Sequence, residues 1–222
     1  MDTLPLPKSV ELNKQYWDDF YKRNHRHHPS QFCISILPEL AENSVIVELG
    51  SGNGRDSHYF SSQGHIAVAL DLSHEAVKSC DDLAKSRNIE HATFYQGDMT
   101  QKEDVENVVK QARILANGRG VVFYSRFVMH ALGDEQEAKL FQILSDCVRS
   151  NELVYFEFRS KEDEDLEKHF GGHFRRYIDT EDFKRTLSEE YGFSIDYSIT
   201  GQGIAKYKEE DPIVSRVIAR KI

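Results

Sequence analysis

The chain has 222 residues, of which 39% are hydrophobic and 29% charged, with a formal net charge of −9. That is enough for one α/β domain with a full core and short for two. The acidic balance argues against a protein that wraps duplex nucleic acid, and no apolar run approaches the ~20 residues of a membrane span.

The first residues, Met1-Asp2-Thr3-Leu4-Pro5, have neither the basic start nor the apolar segment of a signal peptide. Cys33, Cys80 and Cys147 are far apart with no C-x-x-C, so neither a disulfide framework nor a zinc site is indicated. A reducing cytoplasm is the expected compartment. Pro5 and Pro7 make residues 1–9 a loose tail. From Glu11 to Arg23 the spacing of Leu12, Tyr16, Phe20 and of Trp17, Tyr21 predicts a helix with an aromatic face. His25-Arg26-His27-His28 lacks partner ligands at zinc spacing, so it reads as a polar loop and no metal is expected. A helix follows over Phe32 to Leu40.

Val45-Ile46-Val47 is a short β-branched run suited to a strand buried on both faces. It runs into Glu48 and then Gly50, Gly52 and Gly54, ahead of a helix expected over Asp56 to Gln63 and closed by Gly64. Glycines there allow a sharp turn and close approach of a ligand, and the helix aims its first amides at the same spot. The dinucleotide fingerprint is G-x-G-x-x-G. Here the third glycine comes one residue early. A pyrophosphate site does not call for a carboxylate at the strand tip, whereas a ligand carrying an ammonium and a sulfonium does.

The Glu48-to-Gly54 run, E-x-G-x-G-x-G, resembles the first motif of class I S-adenosylmethionine-dependent methyltransferases. The resemblance to their core spans roughly residues 40 to 160. It implies an α/β, Rossmann-like sheet of seven mostly parallel strands with an antiparallel last strand and helices on both faces. It also implies S-adenosylmethionine as cofactor and S-adenosylhomocysteine as product. A single domain over 1–222 is expected, with residues 1–40 as a helical cover, 41–160 as the cofactor-binding core and 160–222 as a substrate-side insertion with the last strands. Tyr16-Trp17-Asp18 resembles the family's N-terminal covering helix; the same aromatic face also suits a helix packed on the sheet edge.

Ile66 to Leu70 reads as a second strand with Asp71 at its tip, about 20 residues past the glycines, where doubly wound folds place the acid that takes a ribose diol. Capping a helix from Ser73 is the alternative role for Asp71. Helix over Glu75 to Arg87 and strand over Ala92 to Tyr95 lead to Gln96-Gly97-Asp98-Met99. By resemblance, Asp98 accepts from the adenine amino group and Met99 lies on the ring; the residues alone also suit a turn and helix cap. The cofactor set is then Trp17, Glu48, Gly50, Ser51, Gly52, Gly54, Asp71, Leu72, Asp98, Met99 and Tyr124.

Gln101 to Leu115 is a helix and Val121 to Tyr124 the fourth strand, running into Ser125-Arg126-Phe127-Val128-Met129-His130. Ligands in doubly wound sheets sit beyond the carboxyl ends of such strands. Arg126 and His130 are the chemical groups there, with His130 the candidate general base and Arg126 a holder of the acceptor. The segment resembles the family's fourth motif but lacks its usual acid, and no Asn/Asp-Pro-Pro-Tyr tetrapeptide occurs.

A helix over Asp134 to Val148 and a strand over Leu153 to Phe158 follow, then a solvated acidic run from Lys161 to Glu167. His169 to Tyr177 is basic, aromatic and glycine-hinged; Thr180 to Tyr191 is helix, and Phe193 to Ile199 and Ile213 to Ala219 are the last strands. Arg126, Arg159, His173, Arg175 and Arg176 make a substrate set suited to a carboxylate or phosphate, although Arg175 and Arg176 could instead neutralise the acidic run. The Tyr124-to-His130 and His173-to-Tyr177 segments, and those alone, also resemble a bacterial methyltransferase subgroup tied to capsule or surface-sugar modification.

The expected function is methyl transfer to an oxygen or nitrogen of a small anionic acceptor by a monomer or homodimer, with no nucleic acid or membrane partner. The rival readings are a non-catalytic S-adenosylmethionine-binding sensor or subunit, a tellurite- or thiol-detoxifying methyltransferase, and an NAD-dependent oxidoreductase.

Overall fold

The computed structural model describes residues 10–23, 27–169 and 174–222. The expected tail over 1–9, His25 and Arg26 of the histidine loop, the side chain of Leu12, and His173 lie outside the described residues.

Seven strands, β1 Val45–Leu49, β2 Ile66–Asp71, β3 Ala92–Gln96, β4 Val121–Arg126, β5 Leu153–Arg159, β6 Phe193–Gly201 and β7 Val214–Lys221, follow the order β3-β2-β1-β4-β5-β7-β6. β1 pairs in parallel with β2 and β4, and β2 with β3, whereas β7 runs antiparallel to β5 and β6. This is the Rossmann-like sheet with an antiparallel last strand that the sequence predicts. Among the described residues, those up to Tyr124 and those from Ser125 onward pack as two units.

In the N-terminal unit β1 is buried at all five positions, as its β-branched run requires. The helices there are α1 Val10–Arg23, α2 Gln31–Ile36, α3 Arg55–Ser62, α4 His74–Arg87 and α5 Lys102–Ala116. Helix α2 stops at Ile36, short of the expected Leu40, because Pro38 has no N–H to continue the ladder; a 3₁₀ turn over Leu37–Glu39 takes its place. Ser73 caps α4 by accepting the Ala76 N–H at 3.1 Å.

In the C-terminal unit α6 Asp134–Cys147 and α7 Thr180–Glu190 accompany β5, β6 and β7. Phe183 anchors the core, with its ring centroid 4.4 Å from that of Phe158 and 5.2 Å from that of Phe141. The acidic run departs from expectation: Lys161–Asp163 is a 3₁₀ turn and Asp163 is buried. Its carboxylate accepts from Arg159 Nη1 at 2.5 Å and from the Ile213 N–H at 2.8 Å, with Lys168 Nζ at 3.4 Å. Three donors offset the cost of burying that charge, which the charge pattern alone does not reveal.

Candidate cofactor site and methyltransferase domain

Gly50, Gly52 and Gly54 all adopt left-handed φ, at 78°, 54° and 66°. A Cβ on Gly52 would collide with the Tyr21 ring and hydroxyl, and one on Gly54 would lie 2.7 Å from both Cys80 Sγ and the Phe94 ring. The turn is therefore a cradle without room for side chains. Beside it, Ser51 Oγ is buried with no hydrogen-bond partner among the described residues. A buried hydroxyl left this way fits a site completed by a ligand.

Asp71, 7% exposed, stands at the end of β2 and faces the turn. Its Oδ2 accepts the Gly52 N–H at 2.7 Å and its Oδ1 the Ser73 N–H at 2.9 Å. Each oxygen keeps a second lone pair for a ribose hydroxyl. Burial pushes its pKa up to about 6, against the pull of those two amides. Leu72 is half-buried between Asp71 and Ser73.

Glu48, 3% exposed, accepts a hydrogen bond from Ser57. Burial, with the charge of Asp56 adding to it, pushes its pKa up to about 8. A carboxyl held there gains most from an approaching cation, which suits the ammonium of an amino-acid moiety. The Asp56 carboxylate accepts from the Ser30 N–H and Oγ, both at 2.7 Å, and from the Tyr124 hydroxyl at 2.9 Å. Tyr124 is fully buried, stacked on Phe32 at 5.3 Å, so its phenol sits in this network. Asp98 Oδ1 accepts the Thr100 N–H and Oγ–H, both at 2.8 Å, forming the local turn, and Met99 is buried beside it. Trp17 lies in the aromatic face of α1, 5.0 Å from Tyr16 and 6.0 Å from Tyr21.

Asp56 and Cys80 escaped the sequence reading, which placed Asp18 and Tyr21 on the covering helix without giving either a role of its own. The Cys80 thiol, which burial makes harder to ionise, donates to the Gly52 carbonyl at 3.3 Å. Tyr21 shares the helical face of Trp17 and could have been found that way. Nothing local marks Cys80.

Residues 40–140 match the family model described as a methyltransferase domain. A search of the curated proteins returned no match. Among solved structures, a SAM-dependent methyltransferase from Anabaena variabilis superposes with a TM-score of 0.75 at 16% identity, covering 100% of this chain and 99% of that one. The glycopeptide N-methyltransferase MtfA, solved in complex with S-adenosylmethionine, gives 0.64 at 14% identity over 88% of this chain and 96% of its own. The [4+2]-cyclase SpnF gives 0.71 at 10% identity, covering 100% and 99%.

Residues 40–140, a little under half of the chain, are thus similar to a methyltransferase domain. The chain has the corresponding fold, and the domain contains the glycine cradle, Glu48, Asp71, Asp98 and Met99. Trp17 precedes it in sequence.

Of the acceptor residues that the sequence predicts, those described lie in the C-terminal unit. Arg126 Nε forms a close ion pair with Glu157 Oε1 at 2.7 Å, off the angle of an aligned hydrogen bond, and Arg216 Nε donates to the other oxygen at 2.8 Å. Glu157 is 0% exposed. Arg126 lies over the Phe127 ring at 4.1 Å, Arg159 approaches the same ring at 5.5 Å, and the His130 ring is 5.3 Å away. Phe127 itself has φ +58°, the left-handed region that a bulky side chain rarely enters. His130, 4% exposed, accepts the Arg159 N–H at Nδ1 (3.3 Å), which assigns the neutral ring's proton to Nε2. Arg159 is bonded to Asp163 and Glu210, and Arg176 to Asp134 and Glu137. Arg175 is half-buried in the irregular segment ahead of α7. Arg126, Arg159 and His130 are thus brought together around one ring, and Arg176 joins through its N–H to the His130 carbonyl at 2.8 Å.

Among the described residues no group of three His, Cys, Asp or Glu side chains could hold a metal ion. None of the described helices is long and apolar enough to cross a membrane.

Proposed function

We propose that the protein moves a methyl group from S-adenosylmethionine to an oxygen or nitrogen of a small anionic acceptor bearing a carboxylate or phosphate. When bound, the cofactor supplies an electrophilic methyl on a sulfonium, so the hard chemistry is its own. The chain's share is to hold and align, which can be worth ~7–11 kcal/mol. In this reading Glu48 meets the ammonium, Asp71 the ribose hydroxyls and Asp98 the adenine amino group, while Met99 packs on the ring. Gly50, Ser51, Gly52, Gly54 and Leu72 shape the cradle, Trp17 covers it and Tyr124 backs it through Asp56.

The observation that carries the anionic acceptor is the gathering of Arg126, Arg159 and His130 around Phe127. Guanidinium forks match carboxylate and phosphate geometry. Arg126 is the group assigned to the acceptor, with Arg159, Arg175 and Arg176 supporting it. His130 spends Nδ1 on a backbone amide, which fits an orienting imidazole better than a general base. An acceptor that arrives as an anion needs none. The three free cysteines fit a reducing compartment.

Radiolabelled S-adenosylmethionine offered with a panel of carboxylate- and phosphate-bearing small molecules tests this. Arg126→Ala is expected to keep cofactor binding and lose turnover. Labelling of neutral acceptors alone would sink the anionic assignment. The carboxylate partners already on Arg159 and Arg176 favour one second reading, an uncharged thiol acceptor, and the same panel should include thiols.

A further inference from the structure

Helix α1 reaches both of the residues, Gly52 and Ser73, whose amides fix Asp71. Asp18 Oδ1 accepts the Ser73 Oγ–H at 2.6 Å and the Glu75 N–H at 3.2 Å. Ser73 passes its own N–H to Asp71 Oδ1 at 2.9 Å. One turn further along α1, Tyr21 stands against Gly52, whose N–H goes to Asp71 Oδ2 at 2.7 Å. One side chain of α1 therefore backs each donor to the same carboxylate. Lys22 adds a loose contact to Glu75 at 4.0 Å, too exposed to count for much.

Placing a second acid here is not neutral. The Asp18 charge is among the causes that hold Asp71 above the usual carboxylate range, after burial itself. Among the described residues, Asp18 from α1 and Cys80 from α4 interact electrostatically with Asp71, and the Tyr21 phenol stands by Gly52. An acid next to a buried acid is tolerable because Asp18 is tied by two hydrogen bonds to the start of α4, where the helix dipole favours negative charge.

We propose that Asp18 is a positioning residue for the cofactor: through Ser73 and the start of α4 it latches α1 in place and orients the Asp71 carboxylate toward the ribose. The assignment rests on the ribose lying at Asp71. It acts through Ser73 and touches no reacting atom. Removing the acceptor frees α1, so cofactor release accelerates. Removing only the charge leaves the latch and eases the ionisation of Asp71.

Calorimetric titration of the full chain with S-adenosylhomocysteine, from about pH 5 to 8, separates these effects. Asp18→Ala should bind roughly tenfold more weakly at neutral pH, the loss of one charge-assisted bond, with the change in the off-rate. Asp18→Asn keeps an acceptor oxygen and should stay within about threefold of the wild type. In both variants the contribution of Asp71 to the pH dependence of binding, which falls near 6 in the wild type, should move to lower pH. Asp18→Ala binding as tightly as the wild type, or Asp18→Asn as weakly as Asp18→Ala, overturns the latch. Should Asp18→Ala fail to fold, Ser73→Ala, which removes the hydroxyl that Asp18 accepts, takes its place, and wild-type affinity there overturns the latch. Asp71→Ala is the control for the site: wild-type affinity there removes the ribose placement and the latch with it, whereas loss there alone leaves the site standing and only Asp18 wrong.

Discussion

Replacing Asp71 by Asn should stabilise or spare the ligand-free protein while abolishing its response to cofactor. The carboxylate is 7% exposed, and burial lifts its pKa from 3.8 to about 6. The folded chain thus holds this proton more tightly than the unfolded one. The associated stability is fully present below about pH 4 and is lost as pH rises through 6, by ~3 kcal/mol in all. Asn never ionises and escapes that loss. It does present an NH₂ to one of the two backbone donors at 2.7 and 2.9 Å, leaving that donor unmet at ~1–3 kcal/mol. The balance at pH ~7.5 lies between zero and a gain of ~2 kcal/mol, or a melting temperature unchanged to several degrees higher. Binding moves the other way. Two ribose hydroxyls lose a charged acceptor, at ~1.5–3 kcal/mol each, so affinity should fall by at least ~100-fold. Thermal melts with and without S-adenosylhomocysteine, at pH ~5 and ~7.5, read both effects. A melting point lowered by more than ~5 °C, with the cofactor-induced shift intact, would refute the reasoning, because it would make Asp71 a structural cap and nothing more.

Cofactor binding should strengthen as pH rises toward 8, because Glu48, pushed up to about 8 by burial, must release its proton to face an ammonium. Glu48→Gln should flatten that dependence in a titration with S-adenosylmethionine across the range; a slope that survives the substitution removes Glu48 from the site. Gly52→Ala combines left-handed strain of ~1–2 kcal/mol with a collision against Tyr21. Gly118→Ala, at φ +88° with nothing within 4 Å, carries the strain without the collision. Both should melt lower, but only Gly52→Ala should lose cofactor affinity in calorimetry, and equal affinities would mean that the turn does not cradle the ligand.

How much of this was legible depended on whether a residue's partner was near in sequence. The β-branched run at Val45 announced a strand buried on both faces, and the three glycines announced left-handed turns because little else tolerates them. Asp71 was readable from its place at a strand tip. Asp163 was not: its acidic neighbours suggested a solvated run, and although Arg159 and Lys168 lie close by in sequence, the amide that takes its other oxygen comes from Ile213, 50 residues on. The arginines were read as an anion-binding set, yet Arg159 and Arg176 each hold two carboxylates, of which only Asp163 stands at a local i, i+4 spacing from its arginine. Asp56 and Tyr124 are 68 residues apart and meet only once β1 and β4 are side by side. Cys80 shows the same limit, since a thiol in mid-helix gives no hint of the glycine carbonyl above it.

A fold shared with methyltransferases and with a cyclase cannot by itself fix the reaction. In the proposed function the segment after β4 meets the acceptor, and its backbone says which residue organises it. Phe127 at φ +58° costs ~1–2 kcal/mol for a side chain of that size. Such strain persists only where the surroundings over-determine it. Here the Phe127 N–H donates to the Glu157 carbonyl at 2.7 Å, the Glu157 carboxylate takes Arg126 and Arg216, and Arg126 lies on the Phe127 ring at 4.1 Å. Glu157 is thus bound to the strained residue through its backbone and to the guanidinium over it through its side chain. An arrangement built only to neutralise Arg126 would not require the left-handed turn, and one built only to turn the chain would use glycine. The two together hold a guanidinium against a ring in one fixed pose.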